Sequence, residues 1–174
     1  WWGEFQATVT ITVTAKEVVA TGIEIATPPT KTTYLVGERF DAKGMTVNKV
    51  MSDDTKIAVT DFTVNKTEPL STADTSVTVT WQTFTATQNI TVREPQVTEI
   101  QIVKKPNKTV YAPGETFDPT GMEVRKLFEN GKTEPLTDFT IENGTLQKGD
   151  VVVTVCWNKL KVNVAVTVAE AKPV

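Results

Sequence analysis

Few residues in this sequence could carry chemistry. The 174-residue chain contains no histidine and a single cysteine, Cys156. Without histidine it lacks the commonest general base and the usual zinc ligands, and it cannot build a Ser-His-Asp or Cys-His nucleophile. Carboxylate-only chemistry stays open in principle. The densest carboxylate pair is Asp53-Asp54, but a second copy of the surrounding pattern has Asn130-Gly131 in its place. No Asp-x-Asp-x-Asp loop of the kind that wraps calcium occurs. Glu38 and Asp41 recur as Glu115 and Asp118. They read as acceptors for nearby backbone N–H groups or for Lys31 and Lys108. An acid-assisted Lys–Asn cross-link would need a set such as Lys31, Asp41 and Asn89, yet the second copy has Ala165 where Asn89 stands. No catalytic, metal or cofactor-binding residue is assigned, and no cofactor is expected.

Trp81, Trp157 and Trp2 occupy one repeated position, in phase with a row of valines, which favours core packing over a platform for sugar rings. Trp1 falls out of phase. Cys156 matches Thr80, on the face that carries the threonines, and is expected as a partly exposed free thiol with no base to activate it. Asn-x-Thr triplets stand at Asn65, Asn89, Asn107 and Asn143. They mark surface loops only in a glycosylating secretory context.

The elements that position these residues emerge from self-comparison. Ile23-Glu-Ile-Ala-Thr-Pro-Pro-Thr-Lys-Thr-Thr-Tyr34 returns as Ile100-Gln-Ile-Val-Lys-Lys-Pro-Asn-Lys-Thr-Val-Tyr111. Gly37-Glu-Arg-Phe-Asp-Ala-Lys-Gly-Met-Thr-Val47 returns as Gly114-Glu-Thr-Phe-Asp-Pro-Thr-Gly-Met-Glu-Val124, and Thr60-Asp-Phe-Thr63 as Thr137-Asp-Phe-Thr140. Val77-Thr-Val-Thr-Trp81 then returns as Val153-Thr-Val-Cys-Trp157, one residue closer, so one position is missing from the loop between. A partial third copy opens the chain, because Trp2-Gly-Glu-Phe5, Ala7 and Ile11-Thr-Val13 match Trp81-Gln-Thr-Phe84, Ala86 and Ile90-Thr-Val92. The expected division is therefore the last hairpin of a preceding repeat at 1–15, whole modules at 16–94 and 95–169, and the start of a linker at 170–174. The chain reads as a monomeric segment of a longer array. Its short linkers, one stiffened by Pro95, suggest restricted, rod-like geometry.

Within a repeat, apolar and polar residues alternate nearly everywhere. Val77, Val79 and Trp81 alternate with Thr78 and Thr80, and Val162, Val164, Val166 and Val168 do the same. A period of two in Val, Ile and Thr marks half-buried strands, and no sustained 3.6-residue pattern predicts a helix. About seven short strands per module are expected, which indicates two tandem β-sandwiches in an all-β chain. The layout for the first copy is Ile23–Ala26 broken by Pro28-Pro29, then Thr33–Leu35, Phe40–Ala42, Met45–Met51, Ile57–Thr60, Phe62–Val64, Ser76–Trp81 and Phe84–Val92. The expected core anchors are Tyr34, Phe40, Met45, Phe62 and Trp81, and their counterparts Tyr111, Phe117, Met122, Phe139 and Trp157. Residues 1–13 carry an apolar face that needs cover. They are expected to pair with a neighbouring edge strand or to pack on the first module.

A net charge of −3 and a pI near 5.1 offer no basic patch for nucleic acid or an anionic membrane. No apolar run reaches membrane-spanning length, so no membrane insertion is expected. The string Pro29-x-Lys31-x-x-Tyr34-x-x-Gly37-Glu38-x-Phe40-Asp41-x-x-Gly44-Met45-x-Val47 resembles the bacterial immunoglobulin-like domain, in particular the Big_3-like group repeated in surface proteins of Gram-positive bacteria. That resemblance implies an extracellular, cell-wall-associated or secreted protein and a non-catalytic spacer, stalk or adhesion module. Such domains also flank carbohydrate-active enzymes. The family brings no catalytic residues and no universal ligand site, so a glycan or a host protein as surface ligand stays an open alternative.

Overall fold

A computed structural model describes residues 3–4 and 6–169. It divides into two units, Trp1–Arg93 and Glu94–Val174, each built the same way. The first holds β1 (Ala20–Thr27), β2 (Thr33–Leu35), β3 (Thr46–Met51), β4 (Lys56–Val59), β5 (Thr63–Val64), β6 (Ser76–Trp81), β7 (Phe84–Asn89) and β8 (Thr91–Arg93). The second repeats the series as β9 (Val97–Lys104), β10 (Val110–Tyr111), β11 (Glu123–Phe128), β12 (Thr133–Leu136), β13 (Thr140–Glu142), β14 (Val152–Trp157), β15 (Leu160–Ala165) and β16 (Thr167–Val168). No helix occurs among the described residues.

In the first unit β1, β3 and β4 form one antiparallel sheet, and β5, β6 and β7 another. After β7 the chain steps over Ile90 into β8, which pairs in parallel with β2 through Thr33↔Thr91, Tyr34↔Val92 and Leu35↔Arg93. The second unit matches it with β9-β11-β12, β13-β14-β15 and the parallel pair β10–β16. This is the β-sandwich expected from alternation, in the Ig-like form that the resemblance implied. The inward rows meet between the sheets. Val47, Val77 and Val79 are fully buried, as are Ile100, Leu146, Val153 and Val155 in the second unit.

The β3–β4 turn shows how two different sequences reach one geometry. It needs a residue in the left-handed region, supplied by Asp54 at φ 65° in one copy and Gly131 at φ 80° in the other. Asp53 Oδ1 accepts from Thr55 N–H at 3.0 Å, and Asn130 Oδ1 accepts from Lys132 N–H at 3.1 Å. Asx residues favour such turns because the side chain stands in for a backbone acceptor.

Three expectations are corrected. Phe40–Ala42 is not a strand. Its backbone is engaged by side chains and turns instead: Tyr34 Oη accepts from Asp41 N–H, and Met45 N–H donates to Ala42 O at 2.9 Å. The strand foreseen as Phe84–Val92 is split at Ile90 because it changes partner there, from antiparallel β6 to parallel β2. The expected hairpin at residues 1–13 has no regular structure at 6–13, and Val9, Ile11 and Val13 are 79%, 79% and 87% exposed. In the repeat register residues 5–10 correspond to β7, which pairs with β6. Trp1, Trp2 and Phe5 lie outside the described residues.

Candidate functional site

The residues shared by both copies converge on one network. In the first module Tyr34 Oη donates to Lys31 O at 2.8 Å and accepts from Asp41 N–H at 3.2 Å. Lys31 Nζ meets the Glu38 carboxylate at 2.8 Å and lies 5.0 Å from the centre of the Tyr34 ring. Glu38 Oε2 also accepts from Leu35 N–H at 2.7 Å. Asp41 Oδ1 accepts from Lys43 N–H at 2.9 Å, closing the turn toward Gly44. The second module repeats these bonds with Tyr111, Lys108, Asp118, Glu115 and Thr120 at nearly the same distances. Hydrogen bonds from Lys31 and from Leu35 N–H hold the Glu38 carboxyl below its usual range, and Lys108 and Ala112 N–H do the same to Glu115.

Gly44 and Gly121 belong to this network for a steric reason. Both have positive φ, 82° and 83°. A Cβ on Gly44 would stand 2.5 Å from Thr30 Oγ1, and one on Gly121 would collide with the Asn107 amide. Glycine is therefore required twice over, by backbone conformation and by close approach.

The ten anchor residues divide by exposure. Tyr34, Met45, Trp81, Tyr111 and Phe117 are buried. Phe40, Phe62, Met122, Phe139 and Trp157 are half-buried and pack against the core clusters. Tyr34 with Phe40, and Tyr111 with Phe117, tilt against each other with ring centres 6.0 Å apart. Trp81 stacks on Phe84 across the hairpin, and its Nε1–H donates to Asp61 Oδ1 at 2.9 Å. Lys49 lies 5.7 Å from the Trp81 ring centre, and its counterpart Lys126 lies 4.6 Å from that of Trp157. Each ring thus has a lysine over it.

Cys156 departs from its expected exposure. It sits on the outward face of β14 yet is only 9% exposed. Lys161 lies directly across the strand pair from it. Lys161 Nζ is held by both Glu142 oxygens, at 2.7 and 2.8 Å, and this ion pair lies beside the thiol. Burial, reinforced by the Glu142 charge, pushes the Cys156 thiol up from its ordinary value. A raised thiol is a poorer nucleophile at neutral pH. Of the Lys31, Asp41, Asn89 set, Lys31 is paired with Glu38, and Asp41 accepts from Lys43 N–H. Among the described residues no cluster of three or more His, Cys, Asp or Glu could hold a metal ion.

Two surface features belong to the second module. An open groove of about 370 Å³ runs along β11 and β12, lined by Met122, Val124, Arg125, Pro135, Leu136 and Phe139 among others. Four valines are exposed: Val103 (50%), Val110 (59%), Val151 (67%) and Val152 (36%). Val152 pairs with Ala165, and Val110 with Thr167 two residues further along. In the first module Thr33, Thr75 and Ser76 stand in place of Val110, Val151 and Val152, all polar, while Ala26 stands in place of Val103.

The model of the bacterial Ig-like domain (group 3), Big_3, matches residues 27–92 and again 104–168. The chain belongs to this family. The two matches span the networks built on Tyr34 and Tyr111, and each covers most of one sandwich. The chain is also similar to pectate lyase L of Thermoclostridium stercorarium, 34% identical over 122 residues. That alignment covers 69% of this Big_3 chain but only 10% of the lyase, so the likeness is to a small part of a much longer protein.

Proposed function

We propose that this segment is a non-catalytic, extracellular repeat that spaces or presents other parts of a longer bacterial surface or secreted protein. The observation that carries this reading is the fate of the repeated residues. Lys31, Glu38, Asp41 and their counterparts, polar groups common to both copies, are engaged in bonds to their own module. What these shared residues build is a scaffold. The likeness to a tenth of pectate lyase L supports an extracellular setting and an accessory place beside a carbohydrate-active enzyme. Cell-wall attachment is part of the proposal.

The test is a replacement. Exchanging this segment, within its parent protein, for two unrelated β-sandwich modules should preserve the parent's activity or adhesion, whereas deleting it should not. Loss of function on replacement would overturn the spacer reading.

The exposed valines of the second module favour one alternative, a surface for a glycan or protein ligand confined to that module. It predicts that Val110→Thr with Val152→Ser, which restores the residues of the first module, abolishes binding to that ligand and leaves the fold intact.

A further inference from the structure

We infer that β4 of the first module is an open pairing edge that joins a second copy of this chain, strand to strand and antiparallel, so that two β1-β3-β4 sheets become one. The sequence alone reads as a monomeric segment, and the association does not depend on which role the segment has.

Which backbone groups are free follows from one bond. Met51 N–H donates to Thr55 O at 2.9 Å, so the Met51 backbone points toward the β4 side. Successive residues of an antiparallel strand turn their backbone groups to opposite sides. Lys49 and Val47 therefore bond Ile57 and Val59, which stand opposite them. Lys56 and Ala58 turn their N–H and C=O groups away from β3. The only strand beside β4 is β3, and these outward groups have no partner among the described residues. The other edge of the sheet, β1, packs beside β7 of the opposite sheet. The β4 side is the open one, with Lys56, Ile57 and Ala58 exposed. Unpaired backbone groups along an exposed strand are a template for another strand.

The second module is a control within the same chain. Its β12 has the same place and phase, because Phe128 N–H donates to Lys132 O at 2.9 Å and Arg125 stands opposite Pro135. Pro135 occupies the position of Ala58, where the nitrogen points outward. Proline there takes no bond from its own module and removes the donor that an added strand would need. Glu134 replaces Ile57, whose side chain is 43% exposed. The edge of the second module is thus blocked at the backbone and charged, and that of the first is neither. Lys56 is of a type that discourages pairing, but its Nζ is drawn onto Glu24 at 2.8 Å.

The occupant is a second copy because the strand complements itself. Turned antiparallel about Ala58, it sets Ala58 against Ala58, Lys56 against Thr60 and Ile57 against Val59. The outward backbone groups of Lys56, Ala58 and Thr60 then meet, each exposed Ile57 is covered by an apolar side chain, and no like charges stand opposite. Pairing about a two-fold axis closes on itself, so it yields dimers and not fibres. One short strand buries little area, which places the pair in the weak class, with a dissociation constant on the order of 1 mM.

The experiment is sedimentation of the full chain at concentrations up to about 1 mM. The average mass should rise toward that of a dimer. Ala58→Pro, which copies Pro135, should weaken association at least ten-fold. Its melting temperature when dilute should stay close to that of the parent, since Ala58 N–H bonds nothing within the module. Glu134→Ile with Pro135→Ala gives the second module the edge of the first, and it should associate more strongly than the parent. A cross-link reads the contact without a proline. In Ala58→Cys with Cys156→Thr, the cysteines of two copies face each other at the ~5.5 Å Cα spacing of a bonded pair, within disulfide reach. Oxidised glutathione should link this variant into dimers at least ten-fold faster than Thr85→Cys with Cys156→Thr, whose thiol lies on the other sheet. Val9→Thr with Ile11→Thr should leave dimerisation unchanged. The inference is overturned if the chain stays monomeric, if Ala58→Pro associates as before, if opening the β12 edge adds nothing, or if the two cysteine variants link at equal rates. It is also overturned if Val9→Thr with Ile11→Thr abolishes the dimer, which would give the edge to residues 6–13 instead.

Discussion

Removing one oxygen, in Tyr34→Phe, isolates what the repeated tyrosine contributes. The ring keeps its place in the core, so the area removed from water hardly changes. The hydroxyl takes with it a donor to Lys31 O at 2.8 Å and an acceptor for Asp41 N–H at 3.2 Å. Two partly buried backbone groups are left without their partner. A net hydrogen bond contributes about 1 kcal/mol, and a stranded polar group costs somewhat more. The expected loss is about 2 kcal/mol. In a module of this size each kcal/mol lowers the melting temperature by roughly 4–8 °C, so the shift is roughly 8–16 °C. Calorimetry on the whole chain reads it directly, because only one of the two modules carries the change. Tyr111→Phe supplies the paired test, since its hydroxyl makes the same bonds at 2.8 and 3.2 Å. The two losses should agree within about 0.5 kcal/mol, and the double variant should show their sum, as distant sites do. A loss below about 0.5 kcal/mol in either module, or a large disparity between them, would refute the claim that this bond pair is why tyrosine recurs.

Other outcomes follow from the same geometry. Gly44→Ala should cost more than Gly37→Ala in chemical denaturation, because both have positive φ but only a Cβ at 44 meets an obstacle, Thr30 Oγ1. Equal costs would show that conformation alone selects glycine. Cys156 should react with a disulfide reagent far more slowly in the native chain than in denaturant, since it is buried and its thiol is raised. Equal rates would mean the thiol is open. Lys66 and then Ser71 draw the Asp74 carboxyl down to about 2 from an ordinary value of 3.8. A depressed carboxylate stabilises the fold above its unfolded value, and that stabilisation is lost as pH falls through the folded one. The melting temperature should therefore drop between about pH 4 and pH 2, and Asp74→Asn should flatten that drop. An unchanged slope would assign it to the other depressed carboxyls, Glu38 and Glu115 among them.

Alternation and the internal repeat made the fold class legible, because a period of two in Val77, Val79 and Trp81 has one structural meaning. Three features were not legible, each for a different reason. Alternation tells which face a residue occupies but not what covers that face, so Cys156 read as exposed although Lys161 and Glu142 lie beside it. A continuous apolar-polar pattern cannot reveal a change of partner, so the break at Ile90 was invisible. The stretch Phe40–Ala42 looks like a strand in composition, but its backbone is claimed by Tyr34 Oη and by turns. The motif itself was visible as a string and opaque as chemistry. That Lys31, Tyr34, Glu38 and Asp41 form one closed set needs coordinates, because seven residues separate Tyr34 from Asp41 while their hydroxyl–amide contact is 3.2 Å.

The step over Ile90 has a consequence for how the chain is made. A module whose first short strand is completed by its last cannot finish folding until nearly all its residues have been synthesised. Contacts so distant in sequence are slow to form. Until β8 is in place, β2 presents an unpaired edge, and the neighbouring module carries a strand of almost the same sequence. Thr33-Tyr34 and Val110-Tyr111 could each accept the wrong closing strand, so exchange of β8 and β16 between tandem copies is the characteristic error this architecture must avoid.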